Sequence, residues 1–302
     1  MPPEKSAYAL ARYSRSADSI HKSVDWVRKH DSQKFLDSFY FQYGHASIAD
    51  LGHLAVCLEG ISELAATEAE DEQLWDGQAK STRYQDFSRV GIVTPPEFGE
   101  EHASAYLRQA QAMIAAYQEI HAEVLEWLKS HLPRPETMKP DAYERNLAAR
   151  AFDVARYLLF FGVPTNVGQV VSIRTLEKQI RRMKASEYAE LRDLADEMGR
   201  ACAAHPSCIW DSGAASEPVA PTLAKYVDAE EHRVRARADL TLWAEQNLPP
   251  AAGRNPDRVD LLRPVDPMSE IAATLLYPVT NRPYRELQEI AQGWNTARKM
   301  EV

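Results

Sequence analysis

Long stretches of this chain repeat apolar residues with the 3.6-residue period of an amphipathic helix. The clearest run covers 105–132 and stops where Pro133 and Pro135 cannot continue a helix. Only 12 of the 302 residues are glycine, which disfavours a glycine-rich all-β fold. The predicted helices, in chain order, are 105–132, 143–161, 170–200 with a break near 185–186, and 229–246.

Strand candidates are few, at 54–61, 90–94 and 273–279. The sequence therefore predicts an α+β fold, rich in helices, with a small mixed sheet. A chain of 302 residues is long enough for one or two domains. We expect a catalytic domain over 1–215 and a helical C-terminal extension over 216–302 that packs on it.

Charge and composition exclude several classes of protein. Hydrophobic content of 45% and charged content of 26% are typical of a globular protein rather than a disordered one. The net charge of −9 disfavours binding to a nucleic acid polymer or an anionic membrane, because both favour a basic surface. Three scattered cysteines, no secretory signal and no apolar run of membrane-spanning length predict a reduced, cytoplasmic protein.

The common nucleotide-binding motifs are absent: there is no G-x-G-x-x-G turn and no Walker loop. His45, Asp50 and His53 lie close enough in sequence to be considered as metal ligands. Surface or hydrogen-bonded histidines explain the same pattern, and we predict no metal site.

One segment is basic against the acidic background. In 172–184, Arg174, Lys178, Arg181 and Arg182 follow helical spacing beside an apolar face, and we call these four residues the basic stripe. Guanidinium groups match phosphate with two parallel hydrogen bonds, so the basic stripe is a candidate anion site. A solvated basic face is the alternative.

A second candidate for anion binding is Ser81-Thr82-Arg83-Tyr84. In an extended backbone, Ser81 and Arg83 project on the same side, so a hydroxyl and a guanidinium could reach one phosphate. Alone, so short a pattern has little specificity.

Together, these segments resemble the flavin-dependent thymidylate synthases, the ThyX family. The family signature is R-H-R-x₇-S-x-R-Y, and Ser81-Thr82-Arg83-Tyr84 is similar to its C-terminal half. The resemblance covers about residues 7 to 200 and implies a ThyX-like fold over the catalytic domain. Four further segments resemble family segments in the same order: Ala11-Arg12-Tyr13-Ser14, Tyr43-Gly44-His45-Ala46-Ser47, Ala155-Arg156-Tyr157-Leu158-Leu159 and Ser172-Ile173-Arg174.

The resemblance implies C5-methylation of UMP or dUMP in a homotetramer. FAD is the implied cofactor, methylenetetrahydrofolate the carbon donor, and NADPH the source of the flavin hydride. Ser81, Arg83 and Arg156 would bind the substrate phosphate, and Arg181 or Arg182 would polarise the pyrimidine, which makes Ser81, Arg181 and Arg182 the catalytic candidates. The candidates for FAD binding are Ser14, His45, Ser47, Ser172, Arg174 and Lys178.

The chain departs from the family at the R-H-R triplet. Counting back from Tyr84 places Asp71, Glu72 and Gln73 there. In this the chain is similar to the divergent branch that methylates UMP or dUMP in polyoxin-type antibiotic pathways. We predict that the basic stripe replaces the missing arginines at the FAD diphosphate.

Other interpretations remain open at this point. Ser14 and Ser47 could cap helices or stabilise turns, and Arg156 and Arg174 could form structural ion pairs. A nucleotide-binding regulator that has lost catalysis is one alternative function, and a helical metal-dependent nucleotide hydrolase is another. Cys57, in an apolar run, is expected to be a buried core thiol, and no cysteine is expected to act as a nucleophile.

Overall fold

A computed structural model describes residues 1–30, 33–38, 44–205, 217–222, 227–229, 231–251 and 259–302. The chain forms two compact units, Met1–Ala229 and Glu230–Val302. The domain boundary predicted after residue 215 falls in a segment outside the described residues.

The first unit contains eight helices and three strands within its described residues. Residues 46–51 add a 3₁₀ turn before the first strand. In chain order, the elements are α1 (Pro3–Tyr13), α2 (Ile20–Lys29), α3 (Gln33–Leu36), β1 (His53–Ser62), α4 (Glu63–Glu70), β2 (Asp76–Ala79), α5 (Glu100–His131), α6 (Pro140–Ala155), β3 (Pro164–Ser172), α7 (Ile173–Lys184) and α8 (Ala189–Ala203).

The three strands form one small sheet in the order β1-β3-β2. Both pairings are antiparallel, and His53 lies opposite Ser172 at one end of the β1–β3 ladder. The helix-rich α+β class is thus confirmed, although the expected mixed sheet is wrong because no described pairing is parallel.

Each of the two long strands continues directly into a helix through a serine cap. The Ser62 hydroxyl accepts a hydrogen bond from the Ala65 N–H (3.0 Å), and the Ser172 hydroxyl accepts one from the Thr175 N–H (3.1 Å). The main core of this unit lies on the buried side of the sheet, where Val167 of β3 packs with the apolar faces of α4 and α7. Both helices are therefore fixed at one end to the sheet.

A helix pair stands beside the sheet. The 32-residue helix α5 packs against α6, and Leu128, Leu147 and Ala151 are buried between them. The helices predicted at 105–132 and 143–161 correspond to α5 and α6, and α6 ends in a 3₁₀ turn over Arg156–Leu158. The strand predicted at 90–94 is wrong, because those residues have no regular structure.

The second unit consists of helices within its described residues. Their bounds are α9 (Glu231–Asn247), α10 (Pro267–Leu276), α11 (Tyr284–Gln292) and α12 (Thr296–Lys299). The strand predicted at 273–279 is wrong, because Ala273 and Leu276 face the core as one stripe of α10. Across the residues that the structure describes, no helix combines the length and apolar character needed to span a bilayer.

Candidate active site

Two arginines predicted to bind phosphate meet at one carboxylate. The Arg83 guanidinium contacts both oxygens of Asp153 on α6, with Nε to Oδ1 at 2.8 Å and Nη2 to Oδ2 at 2.8 Å. The Arg156 Nη2 lies 3.6 Å from the same Oδ1. We call Arg83, Arg156 and Asp153 the arginine cluster. Asp153 therefore holds the two guanidinium groups beside each other.

The neighbouring hydroxyls belong to the same loop. The Ser81 hydroxyl accepts a hydrogen bond from the Arg83 N–H (3.3 Å), and Arg156 Nη1 donates to the Thr82 hydroxyl (3.5 Å). The structure therefore brings Ser81, Arg83 and Arg156 together. The ion pair with Asp153 raises the pKa of Arg83, so this guanidinium stays charged.

A cleft of about 400 Å³ opens beside the arginine cluster, and we call it the Arg156 cleft. Its walls are mostly apolar and include the rings of Tyr157, Phe160 and Phe161, while Arg156 and Thr82 supply polar groups. Such a site suits a flat ring that carries an anionic group.

Glu63 also lines the Arg156 cleft, and the sequence prediction missed it. Burial raises the pKa of this carboxyl, with a smaller contribution from the charge of Glu70. Glu63 can therefore hold a proton at a higher pH than an exposed glutamate. In the sequence it reads as an ordinary acidic residue in the first turn of a helix, which gives no sign of a cleft.

The segments predicted to bind flavin converge on the 3₁₀ turn Ala46–Leu51. This turn packs against α1, which ends near Ser14, and against α7, which carries Arg174 and Lys178. The Ile173 N–H at the start of α7 donates to the Gly52 carbonyl at 2.9 Å. Residues far apart in sequence are therefore neighbours here.

Two of the serine hydroxyl groups in this region already make local hydrogen bonds. Ser14 is exposed at the end of α1 and donates to the Ala11 carbonyl (2.8 Å), while Ser172 caps α7. The local role considered as an alternative for Ser14 is thus present, and Ser172 also makes a local hydrogen bond. His45 and Ser47 are exposed.

Most of the basic stripe is paired with carboxylates. Arg174 contacts Asp50 at 2.9 Å, and Arg181 contacts Glu177 at 3.4 Å. Lys178 is exposed, and within the described parts of the chain it makes no ion pair. The expected replacement of the R-H-R triplet therefore rests mainly on Lys178 unless these pairs open.

Arg182 is held by two acids of the α4 region. Its Nε and Nη2 lie 3.2 Å and 2.9 Å from Glu72 Oε1, Nη2 donates to the Glu68 carbonyl (2.8 Å), and Nη1 contacts the Glu68 carboxylate. We call Arg182, Glu68 and Glu72 the α4–α7 clamp. Among the described residues that line the Arg156 cleft, none belongs to α7, so Arg181 and Arg182 are not brought to Ser81 within one chain.

The last position of the missing triplet, Gln73, lies at another cleft, of about 350 Å³. Gln73 lines it together with Asp50, His53 and Ser172. No group of three His, Cys, Asp or Glu side chains in the described residues has the geometry of a metal site, and Asp50 is already paired with Arg174.

The cysteine assignments are partly corrected. Cys57 is exposed, so the expected core thiol is wrong: the outward-facing side of β1 carries it. Cys202 on α8 is buried, and burial raises its pKa to about 11. Cys208 lies outside the described residues.

Comparison with known proteins identifies similar chains. The family described as thymidylate synthase complementing protein, Thy1, matches residues 1–207. A UPF0159 protein of Chlamydia pneumoniae is 24% identical over 89% of this chain and 49% of its own length. A UPF0159 protein of Chlamydia muridarum is 21% identical over 90% of this chain and 50% of its own. The chain thus spans about half the length of the curated relatives it matches.

The chain is similar to two solved structures of the flavin-dependent thymidylate synthase ThyX from Helicobacter pylori, both with FAD and dUMP. One is 15% identical with a TM-score of 0.39, over 66% of this chain and 89% of that one. The other is 13% identical with a TM-score of 0.43, over 66% of this chain and 88% of that one.

Proposed function

The chain belongs to the Thy1 family of thymidylate synthase complementing proteins, and on that premise we propose that it is a flavin-dependent methyltransferase acting on C5 of UMP or dUMP. The observation that carries the proposal is the arginine cluster at the mouth of the Arg156 cleft. The site combines guanidinium groups that can bind an anion with apolar walls that can contact a flat ring. A pyrimidine monophosphate carries both an anionic group and a flat ring.

In this proposal, Ser81, Arg83 and Arg156 bind the substrate phosphate. Asp153 holds the two guanidinium groups in place before substrate arrives, because it contacts both. Each guanidinium has five N–H donors, so donors remain for a phosphate while Asp153 keeps its contacts. The Arg83–Asp153 pair is also partly exposed, at 47% and 30%, so opening it would cost little.

We propose that FAD binds where α1, the 3₁₀ turn Ala46–Leu51 and the start of α7 meet. The groups that would hold it are the imidazole of His45, the hydroxyl of Ser47 and the ammonium of Lys178, a donor set that suits a cofactor with hydroxyl and phosphate groups. Ser14, Ser172 and Arg174 are the further proposed contacts. When bound, the flavin supplies the hydride, and methylenetetrahydrofolate and NADPH are the proposed co-substrates.

The proposed roles of Arg181 and Arg182 at the pyrimidine need either a rearrangement of this chain or a second copy of it. Neither lines the Arg156 cleft, so either the α4–α7 clamp opens or a second copy supplies the group. A cytoplasmic homotetramer is the proposed assembly. We also propose that the chain belongs to the divergent, polyoxin-type branch, because Asp71, Glu72 and Gln73 replace the triplet.

The first experiment is an absorbance scan of the purified protein for bound flavin, together with binding titrations of UMP, dUMP and uridine. Arg83→Ala should weaken UMP and dUMP binding by about 1.5–3 kcal/mol, since it removes charge-assisted hydrogen bonds, and leave uridine unchanged. Arg108→Ala, on the exposed side of α5, is the matched control. Equal losses for uridine and UMP would contradict the phosphate role.

A second candidate function is a nucleotide-binding regulator that has lost catalysis. The pairing of Arg182 with Glu72, at a position where the family has its triplet, favours this alternative. Uridylate binding without any flavin binding would support it over the methyltransferase.

A further inference from the structure

A second cleft, of about 720 Å³, lies between the loop after β2 and one face of α6. Its charged lining consists of Arg83, Arg145 and Arg150, and within the described part of the chain no carboxylate lines it. We call it the Arg145 cleft. In a protein with a net charge of −9, this cationic lining differs from that of the two clefts described above, each of which includes a carboxylate.

The side chains of Arg145 and Arg150 are exposed, and neither forms an ion pair within the described residues. The arginines discussed above differ from them: Arg83, Arg156 and Arg182 each contact a carboxylate. Two arginines without an ion pair among the described residues therefore line the same cleft.

The helix itself leaves room for a ligand at this place. Ala142 and Ala149 lie two turns apart on the same side of α6 and line the cleft, so short side chains separate the arginines. Arg145 and Arg150 are five residues apart, or roughly 7.5 Å along the helix axis. A chain of several anionic groups can contact both more readily than one phosphate can.

We propose that the Arg145 cleft binds an oligophosphate, such as the phosphate chain of a nucleoside triphosphate. Arginine recognises phosphate oxygens with two parallel hydrogen bonds, and the guanidinium groups of this cleft would offset part of the negative charge of such a chain. Tyr84, which is 68% exposed, lines the same cleft and offers a ring face beside it. This site is separate from the proposed flavin site, and it shares one residue, Arg83, with the proposed uridylate site.

Sharing Arg83 has a physical consequence. An oligophosphate that binds the free N–H donors of Arg83 would share this guanidinium with Asp153, and Asp153 also contacts Arg156. The ligand in the Arg145 cleft would thus alter the arginine cluster next to it.

The test is isothermal titration calorimetry of the full chain with inorganic triphosphate. The double variant Arg145→Gln/Arg150→Gln should lose at least tenfold in affinity, because two charge-assisted contacts are removed. The control Arg108→Gln/Arg200→Gln removes the same charge from exposed positions on α5 and α8 and should change the affinity less than twofold. Flavin content and uridylate affinity, measured on the same samples, should be unchanged in both, which separates this test from that of the proposed function.

A single variant guards against a folding defect. Arg145→Lys keeps the charge but loses the two-pronged geometry, so it should bind triphosphate severalfold more weakly than wild type. The proposal is overturned if wild type shows no saturable binding, if citrate binds as tightly as triphosphate, or if the two double variants lose affinity equally.

Discussion

Replacing Arg182 with methionine removes the cation that joins α7 to the end of α4. Methionine keeps an apolar stem of similar length, so the change isolates the loss of the guanidinium. Arg182 contacts the carboxylates of Glu68 and Glu72 and also donates to the Glu68 carbonyl at 2.8 Å. All of these contacts disappear together in the variant.

The size of the expected loss of stability depends on how deeply the α4–α7 clamp is buried. The side chains of Arg182, Glu72 and Glu68 are 22%, 14% and 33% exposed, between a surface pair and a fully buried one. Breaking a buried pair costs about 3–5 kcal/mol, whereas surface pairs contribute about 0–1 kcal/mol. We therefore expect Arg182→Met to lower the free energy of unfolding by about 2–3 kcal/mol. The largest part arises because Glu72 is left without its counter-charge.

The assay is urea unfolding followed by circular dichroism, with a double-mutant cycle. Arg182→Met/Glu72→Gln should lose less than the sum of the single changes, by about 1–2 kcal/mol. Arg174→Met is the control, because its ion pair with Asp50 is 38% exposed on both sides and should contribute at most about 1 kcal/mol. A loss for Arg182→Met no larger than that of the control, with no coupling to Glu72, would refute the reasoning. Weaker dUMP binding with unchanged stability would instead assign Arg182 to the substrate.

Other expectations concern thiols, packing and the cofactor. A thiol reagent at neutral pH should modify the exposed Cys57 in the folded protein. Cys202 should react only after unfolding, because burial raises its pKa to about 11. Rapid labelling of Cys202 in the folded protein would contradict its burial. Gly162→Ala should lower the free energy of unfolding by about 1–3 kcal/mol in the same urea assay, because the added Cβ would lie 2.8 Å from the Val93 carbonyl oxygen. An unfolding free energy equal to that of wild type would show that the backbone shifts to accommodate the Cβ. Lys178→Ala should weaken FAD binding in a fluorescence titration, and increasingly so at low salt; equal affinity at all salt concentrations would remove Lys178 from the cofactor site.

The helices were the most predictable part of the fold. Helix α5 carries its own signals, a 3.6-residue repeat and two prolines that follow its end, so local sequence was sufficient. Strand β3 was missed, and 170–172 was assigned to a helix instead. Its buried face includes Thr165 and Gln169, and polar residues at those positions hide the alternation that predicts a half-buried strand.

Gln169 can be buried because other elements satisfy its amide. The Trp75 indole N–H donates to its side-chain oxygen (2.7 Å), and its amide nitrogen donates to Gln179 of α7 (2.9 Å). Trp75 is 94 residues away in sequence and Gln179 belongs to the following helix, so the burial of Gln169 could be recognised only with the tertiary structure in view.

The candidate site also contains partners that the local sequence did not predict. Arg83 and Arg156 were predicted from motifs, but Asp153, which holds them together, belongs to no motif. The helical spacing of the basic stripe was predicted correctly, whereas the counter-charges of Arg174 and Arg182 come from the 3₁₀ turn at 46–51 and from the α4 region. A periodic pattern shows which residues share a face, but it does not show what lies opposite that face.

The partners of the residues that replace the triplet change the electrostatic effect expected at the cofactor. From sequence, Asp71 and Glu72 in place of family residues present two carboxylates to the cofactor diphosphate. In the structure, Glu72 accepts from Arg182 and is 14% exposed, so an internal cation neutralises its charge. Of these two carboxylates, Asp71 is the exposed one. An arginine at position 72 would stand beside Arg182 and remove one of its two counter-charges. The acidic residue at position 72 and the arginine at position 182 are therefore expected to depend on each other.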